Sequence, residues 1–578
     1  MCRCAIFGSS FSDGLRQVFV IGIYTAHFPC FLLLSFVVCT FIPHPYMQAR
    51  EKIYAIIILS FVVFITETVF DMLPAQPPRK AKKYYISASG KDSNPGTMDK
   101  PWQTIQPLNQ LQLHAGDMVC LEGGKIFKGP VEFNNLDTGT LKFPVTLCSY
   151  GNGEAVIDGG YGTAIHAEKS KHLLIKDIIL RGSGRKRGNT GRGIFISNGM
   201  DITIDQVDIS GFQKSGVELE NCSDARVTNI FSHDNGFAGI AVTGDQFPKF
   251  TNHRVYIGHC RVENNPGDPT VLNNHSGNGI VVGLAQNVTI EYCVATNNGW
   301  DMPRKGNGPV GIWAWEADSV IIQHCISFRN RTAPGAMDGG GFDLDGGVTN
   351  SLVQYNLSYE NEGYAFGLFQ FSGATPWHHN TFRYNVSFND GNKTIHGASI
   401  LWWNGSKDSS QFHDCFVYNN VLYNSQGYTL GVIPDQYENT RFFFLNNIFV
   451  AKDEMMTSGK INTENFYGND WWSLASDFKM NDYTNFLRWI NATGKEKLNG
   501  KVTGMNIRPD FMDPIGPAFD DPDLLQKFIN FQLSAHTPLR DKGLNLTRLF
   551  HIDMGKQDFL GNGIPKGGGY EPGAYENF

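Results

Sequence analysis

Four stretches between residues 286 and 391 can be laid under one another: QNVTIEYCVATNNG, DSVIIQHCISFRNR, NSLVQYNLSYENEG and NTFRYNVSFNDG. Each is a short run of β-branched and aromatic residues closing on an Asn- or Gly-containing turn, the pattern of a strand rather than a helix. In this register Cys293, Cys325, Asn356 and Asn385 share a column. The column extends upward through Cys260, Ile230, Val207 and Ile178 and downward through Asn420 and Asn447, at spacings of 23 to 35 residues. A repeat of this size cannot bury its own apolar face and must stack on copies of itself. The shortest spacing still holds three short strands and three bends. The chain is therefore all-β, a single-stranded parallel β-helix of about 10–12 coils.

The column carries small apolar residues, then thiols, then amides, so it should face inward. A buried thiol behaves as a small hydrophobe, and amides stacked at the rung spacing of about 4.8 Å bond one to the next. A metal site at Cys260, Cys293 and Cys325 is the weaker reading, because one column of thiolates brings no fourth ligand to complete a tetrahedron.

A second column begins at a glycine in most coils and continues as an alternating strand, as in GIAVT at 239, GIWAW at 311, GFDLD at 341, GLFQF at 367 and SILWW at 399. Side chains alternate with period two. Residues two and four past the glycine therefore face outward: Trp313 with Trp315, Asp343 with Asp345, Phe369 with Phe371, Leu401 with Trp403. Aromatic residues in a row on an outward face call for an explanation. Here they bracket two aspartates, with the tryptophans one coil above and the phenylalanines one coil below.

The charge balance, 48 Lys and Arg against 55 Asp and Glu, excludes a basic surface for nucleic acid. Residues 17–42 are apolar for the length of a bilayer span. A shorter apolar run at 53–65 follows the basic start MQAREK at Met47 and precedes small residues near Ala75, the layout of a signal peptide. Residues 1–46 then read as an upstream extension and 47–75 as a signal peptide or signal anchor. The alternative is membrane anchoring through residues 17–65. Either way the chain is secreted or held at the cell surface. Ten N-x-S/T sequons, Asn274, Asn287 and Asn330 among them, agree with export, although Asn356 and Asn385 in the inward column should stay unmodified. The seven cysteines after residue 83 are odd in number and form no C-x-x-C, so no disulfide framework is implied.

Residues 84–160 read as an N-terminal cap and first coil, with a short helix over 102–113 closing the stack and the first full rung at 143–160. Residues 161–450 are the coils, and 451–578 are closing coils, cap and packing segment. YYISASGKDSNPGT, KPWQTI, GDMVCLEGG and PVTLCSYGNGEAVIDGG, with GGYEPGAYE near the end, resemble the secreted right-handed parallel β-helix proteins of the pectate-lyase-like superfamily. The resemblance implies a right-handed helix acting on polysaccharide. It does not choose an activity, since that superfamily holds lyases, hydrolases, epimerases and binding proteins.

Long loops at 299–310 and 329–340 run into the strands of Trp313 and Asp343, as insertions that wall a binding face do. Asp343 and Asp345, about 6.6 Å apart along one strand, form a carboxylate pair in an aromatic strip on an outward, solvent-facing sheet. Crowding should raise one pKa and leave the other group ionised, which glycosidic hydrolysis requires. Asp338 and Glu316 are spare carboxylates. Trp313, Trp315, Phe369, Phe371 and Trp403 would stack on sugar rings, with Arg304, Lys305 and His275 as polar substrate contacts. The favoured reading is a monomeric glycoside hydrolase that needs no cofactor. A polysaccharide lyase or uronate epimerase would place calcium on Asp343 and Asp345 and take its base from Lys305, Arg304 or His275. A non-catalytic glycan-binding surface protein is the third reading.

Overall fold

A computed structural model describes residues 79–578 apart from 395, 435, 436, 458, 517, 577 and 578. The proposed signal and span segments lie outside the described residues. No helix among the described residues is long and apolar enough to cross a membrane.

The strands from Lys83 to Ser473 form a right-handed parallel β-helix with three sheets and pair in parallel from coil to coil. Eleven consecutive coils, from Met118 to Val432, carry a strand in each sheet, and two further coils reach Ser473 in the first two sheets. The stack thus starts one coil before the 143–160 rung. The expected helix over 102–113 is a single 3-10 turn, Leu108–Gln110. The segment still closes that end, since Trp102, Ile105, Leu108 and Leu113 are buried in the main core. At the other end the helix Phe486–Thr493 presents Phe486, Trp489 and Ile490 to the core, beside the buried Trp471.

The inward column is as the sequence predicts. Cys260, Cys293 and Cys325 are free and buried. Below them Asn356 Nδ2 donates to Asn385 Oδ1, Asn385 to Asn420, Asn420 to Asn447, Asn447 to Asn469, and Asn469 to the Glu496 carboxylate, at 2.7–3.1 Å. Each residue just before the column turns the chain at φ of 50–57°, from His259 through Tyr292, His324, Tyr355 and Tyr384 to Asn446. Left-handed backbone costs a non-glycine residue about 1–2 kcal/mol. The rings at these bends stack in turn, His259 on Tyr292, Tyr292 on His324 and His324 on Tyr355, with centroids 5.0–5.1 Å apart, and this offsets the cost.

A second amide ladder runs along the next bend: Asn265 to Asn298, Asn330, Asn361 and then Asp390. Asn330 is therefore a buried structural amide, as are Asn356 and Asn385. The C-terminal segment returns along the outside, where Tyr355, Tyr359 and Tyr418 hydroxyls donate to the carbonyls of Gln557, Phe519 and Asp553. The third sheet faces a cavity instead.

Candidate active site

The third sheet contains 310–315, 340–344, 366–370 and 400–404, each entered through a loop from the second sheet. Register places Asp343 beside Trp313 on one side and Gly367 on the other, while Phe369 pairs with Trp403. The glycine-based alignment is thus off by two in the coil at 367. Phe369 lies one coil beyond the Asp345 position, and Phe371 packs beside Gly346, where an added Cβ would meet its ring at 2.5 Å. The cause is local: Ala365, not Gly367, takes the register position of Gly341, with Gly341 N–H donating to the Tyr364 carbonyl, Phe342 N–H to the Ala365 carbonyl, and Phe342 pairing Phe366.

That offset leaves room in front of Asp343, and Tyr364 fills it. An added Cβ at Gly340 or Gly367 would come within 2.3 or 2.6 Å of the Tyr364 ring, so these two glycines make its place. The Tyr364 hydroxyl donates to Asp343 Oδ2 at 3.1 Å. Asp343 is not solvent-facing as the strand alternation implies: it is 3% exposed, and its Oδ1 has no hydrogen-bond partner. Asp345 is half-buried and accepts from Gly346 N–H at 2.7 Å, and Asp338 accepts from Gly308 N–H at 2.6 Å.

These groups line one cavity of about 840 Å³ with His275, Arg304, Trp313, Trp315, Phe369, Phe371 and Trp403. Burial, then the charges of Asp345 and Asp338, hold the Asp343 carboxyl well above the usual carboxylate range. Burial raises Asp345 to about 6, helped by Glu316 and opposed by the Gly346 N–H. Asp338 is raised to about 7, again by burial first. One member of the row is therefore protonated at neutral pH while another is largely ionised. Among the described residues no three carboxylate, imidazole or thiol groups converge closely enough to hold a metal ion.

Two of the expected site residues lie elsewhere. Glu316 is fully buried, and its carboxylate accepts from Thr375 N–H at 2.8 Å and from the Thr375 hydroxyl at 2.6 Å. It pins the loop after Phe371 and reaches the site only through its charge on Asp345. Lys305 is exposed and outside the lining of the cavity.

His275 is in the cavity, but its tautomer argues against a base. Asn278 Oδ1 accepts from the Trp313 indole N–H at 3.1 Å, which turns the Asn278 NH₂ toward His275 Nδ1 at 3.0 Å. Nδ1 is then the acceptor and Nε2 carries the proton. Burial, with the Arg304 charge, lowers this histidine to about 4, so the ring is neutral and offers the cavity a donor. Arg304 likewise supplies donors rather than a base. Tyr364 and Asn278 were missed in the sequence. The glycines at 340 and 367 carry a signal for Tyr364, and nothing in the sequence marks Asn278.

A parallel β-helix with a carboxylate row in an aromatic cavity on one sheet is the class of protein that fold and site define. The chain belongs to the Pel9A-like right-handed β-helix family, whose model matches residues 84–399. Solved structures of similar fold include the GH136 lacto-N-biosidase from Eubacterium ramulus, at 19% identity and a TM-score of 0.46 over 65% of this chain and 67% of that one. Pectate lyase Pel9A is 16% identical with a TM-score of 0.42 over 87% and 98%. A rhamnogalacturonan lyase is 18% identical with a TM-score of 0.35 over 62% and 87%. At these identities the likeness is one of fold. No curated protein matches the chain.

Proposed function

We propose that this protein is a glycan-cleaving enzyme of the secretory route or cell surface, and that it hydrolyses glycosidic bonds in the cavity of the third sheet. The observation that carries the reading is the buried, unpartnered Oδ1 of Asp343 beside the largely ionised Asp345. Asp343 Oδ2 accepts from the Tyr364 hydroxyl, which leaves Oδ1 to carry the proton. Asp343 gives this proton to the leaving glycosidic oxygen as the bond to the anomeric carbon breaks. Asp345 takes a proton from the water that attacks the same carbon. Alternate strand residues lie about 6.6–6.8 Å apart, which suits the spacing of an inverting pair with water between. Trp313, Trp315, Phe369 and Trp403 stack on the sugar faces and exclude water. Oxygen-rich, crowded and partly unpaired, the same carboxylate row favours one second reading, the calcium-dependent lyase or epimerase, if the three groups close on a cation.

A panel of plant, algal and fungal polysaccharides, run with and without a calcium chelator, separates the readings. Hydrolysis predicts new reducing ends without an unsaturated, ultraviolet-absorbing product, and no effect of chelator. A chelator-sensitive unsaturated product points to the lyase, and chelator-sensitive inversion of a uronate without chain cleavage to the epimerase. Binding without turnover anywhere in the panel leaves a glycan-binding protein.

A further inference from the structure

The cavity is not alike at its two ends. The coils before Asp343 line it with Trp313 and Trp315 and also with hydrogen-bond donors: the Arg304 guanidinium, the Nε2–H of His275, and the amides of Asn273, Asn274 and Asn307. The coils after Asp343 line it with Phe369, Phe371, Trp403, Ile433 and Pro434, with no cation among the described residues there. Arg304 is half-buried and makes neither an ion pair nor a side-chain hydrogen bond to any of the described residues, although its charge is felt by both Asp338 and His275. Most of the other arginines near this sheet are committed, Arg185 to Asp301, Arg192 to Glu218 and Arg331 to Glu362. A guanidinium partly removed from water with no partner is costly unless an anion completes it, and its planar fork fits a carboxylate or sulfate through two parallel bonds.

We infer that the substrate is a mixed chain, with an anionic sugar seated against Arg304 and His275 and a neutral sugar stacked on Phe369 and Trp403, the two on opposite sides of the bond cleaved at Asp343. A uniform polyanion fits poorly, since its next charge would lie against Asp345 and the aromatic wall. A uniformly neutral chain leaves Arg304 uncompensated. This rests on the proposed cleavage for the position of the bond, but not for the anion site itself. The anion is a carboxylate or a sulfate, both of which the fork accepts.

The test compares wild type with Arg304→Gln on glucuronoxylan, its carboxyl-reduced form, a sulfated galactan and polygalacturonate, reading both binding by calorimetry and turnover. The inference predicts that wild type prefers glucuronoxylan or the sulfated galactan to the other two at least tenfold in Kd or kcat/KM. Which of the two it prefers identifies the anion. Arg304→Gln should erase that preference mainly through Kd and KM, with an unchanged melting temperature. Loss of preference in binding without any turnover would uphold the anion site and reject the cleavage reading. An Arg304→Gln variant that keeps the wild-type preference overturns the inference. So does a wild type that prefers the carboxyl-reduced chain or polygalacturonate, or that binds none of the acidic probes. A variant that shifts only the pH profile would make Arg304 a counter-charge for Asp338, which equally overturns it.

Discussion

Two rows of buried polar side chains run down this helix, and they differ in one respect. In the ladder from Asn356 to Asn469 each amide both accepts from one neighbour and donates to the next, and Glu496 ends the row as an acceptor. In the row of Asp338, Asp343 and Asp345 no hydrogen bond joins one group to another, and Asp343 Oδ1 has no partner among the described residues. A buried polar group without a partner costs about 1–3 kcal/mol, whereas a satisfied network adds rigidity. The fold bears that cost only on the sheet that faces a cavity. The contrast separates the row that holds the coils together from the row that meets a ligand.

The largest effect that tests this contrast is on rate. Asp343→Asn and Asp345→Asn should each lower turnover about 100-fold or more on any glycan the wild type cleaves, as loss of a general acid or base does. Neither should lower the melting temperature, because Asn keeps an oxygen to accept from the Tyr364 hydroxyl or the Gly346 N–H while it removes a carboxyl that burial disfavours in its charged form. The mirror experiment is Asn385→Ala. It strips Asn356 and Asn420 of their partners and also a bond to the Val353 carbonyl. It should cost about 3 kcal/mol or more, read as a lower denaturation midpoint, with kcat per folded molecule unchanged.

A smaller effect concerns pH. The carboxyl that ends the second ladder, Asp390, is raised by burial to about 7. In the unfolded chain it ionises near pH 4. The folded state therefore binds the extra proton between these values, and the stability tied to it is full below about pH 4 and lost as pH rises toward 7. Wild type should lose stability relative to Asp390→Asn between pH 4 and 7 in denaturant titrations, and the difference should be flat above that. Catalysis has another pH dependence: kcat/KM should rise through about pH 6 as Asp345 ionises, and fall only where Asp343 gives up its proton. The smallest effect is expected at the wall. Trp315→Ala should raise KM about tenfold while kcat changes less, because stacking acts on bound substrate and transition state alike.

What the sequence revealed and what it hid divides along the same line. The ladder is legible because inward positions are filled by the same residue types at the coil spacing, so Cys293, Cys325, Asn356 and Asn385 align by eye. Asn469 and Glu496 extend the ladder where the third sheet has ended and the rhythm is lost. The aspartates and the aromatic strip are legible from alternation within one strand. Their depth is not, because alternation says which face a residue takes and not what covers that face. Asp343 is buried by Tyr364, which reaches it from the next coil through the space above Gly340 and Gly367. Glycine served as the mark of register, and it fails where glycine is used to admit a ring. Glu316 shows the complementary error: a carboxylate next to the strip in sequence turns at φ 40° and bonds Thr375 instead.

The most direct measurement is the paired determination of kcat/KM and melting temperature for wild type and Asp343→Asn on one cleaved glycan and on an activated aryl glycoside of the same sugar. The account predicts a loss of about 100-fold or more on the glycan, a much smaller loss on the aryl glycoside, whose leaving group needs no proton, and a melting temperature no lower than that of wild type. Equal turnover of the glycan by the two proteins would contradict the assignment of Asp343 as the acid.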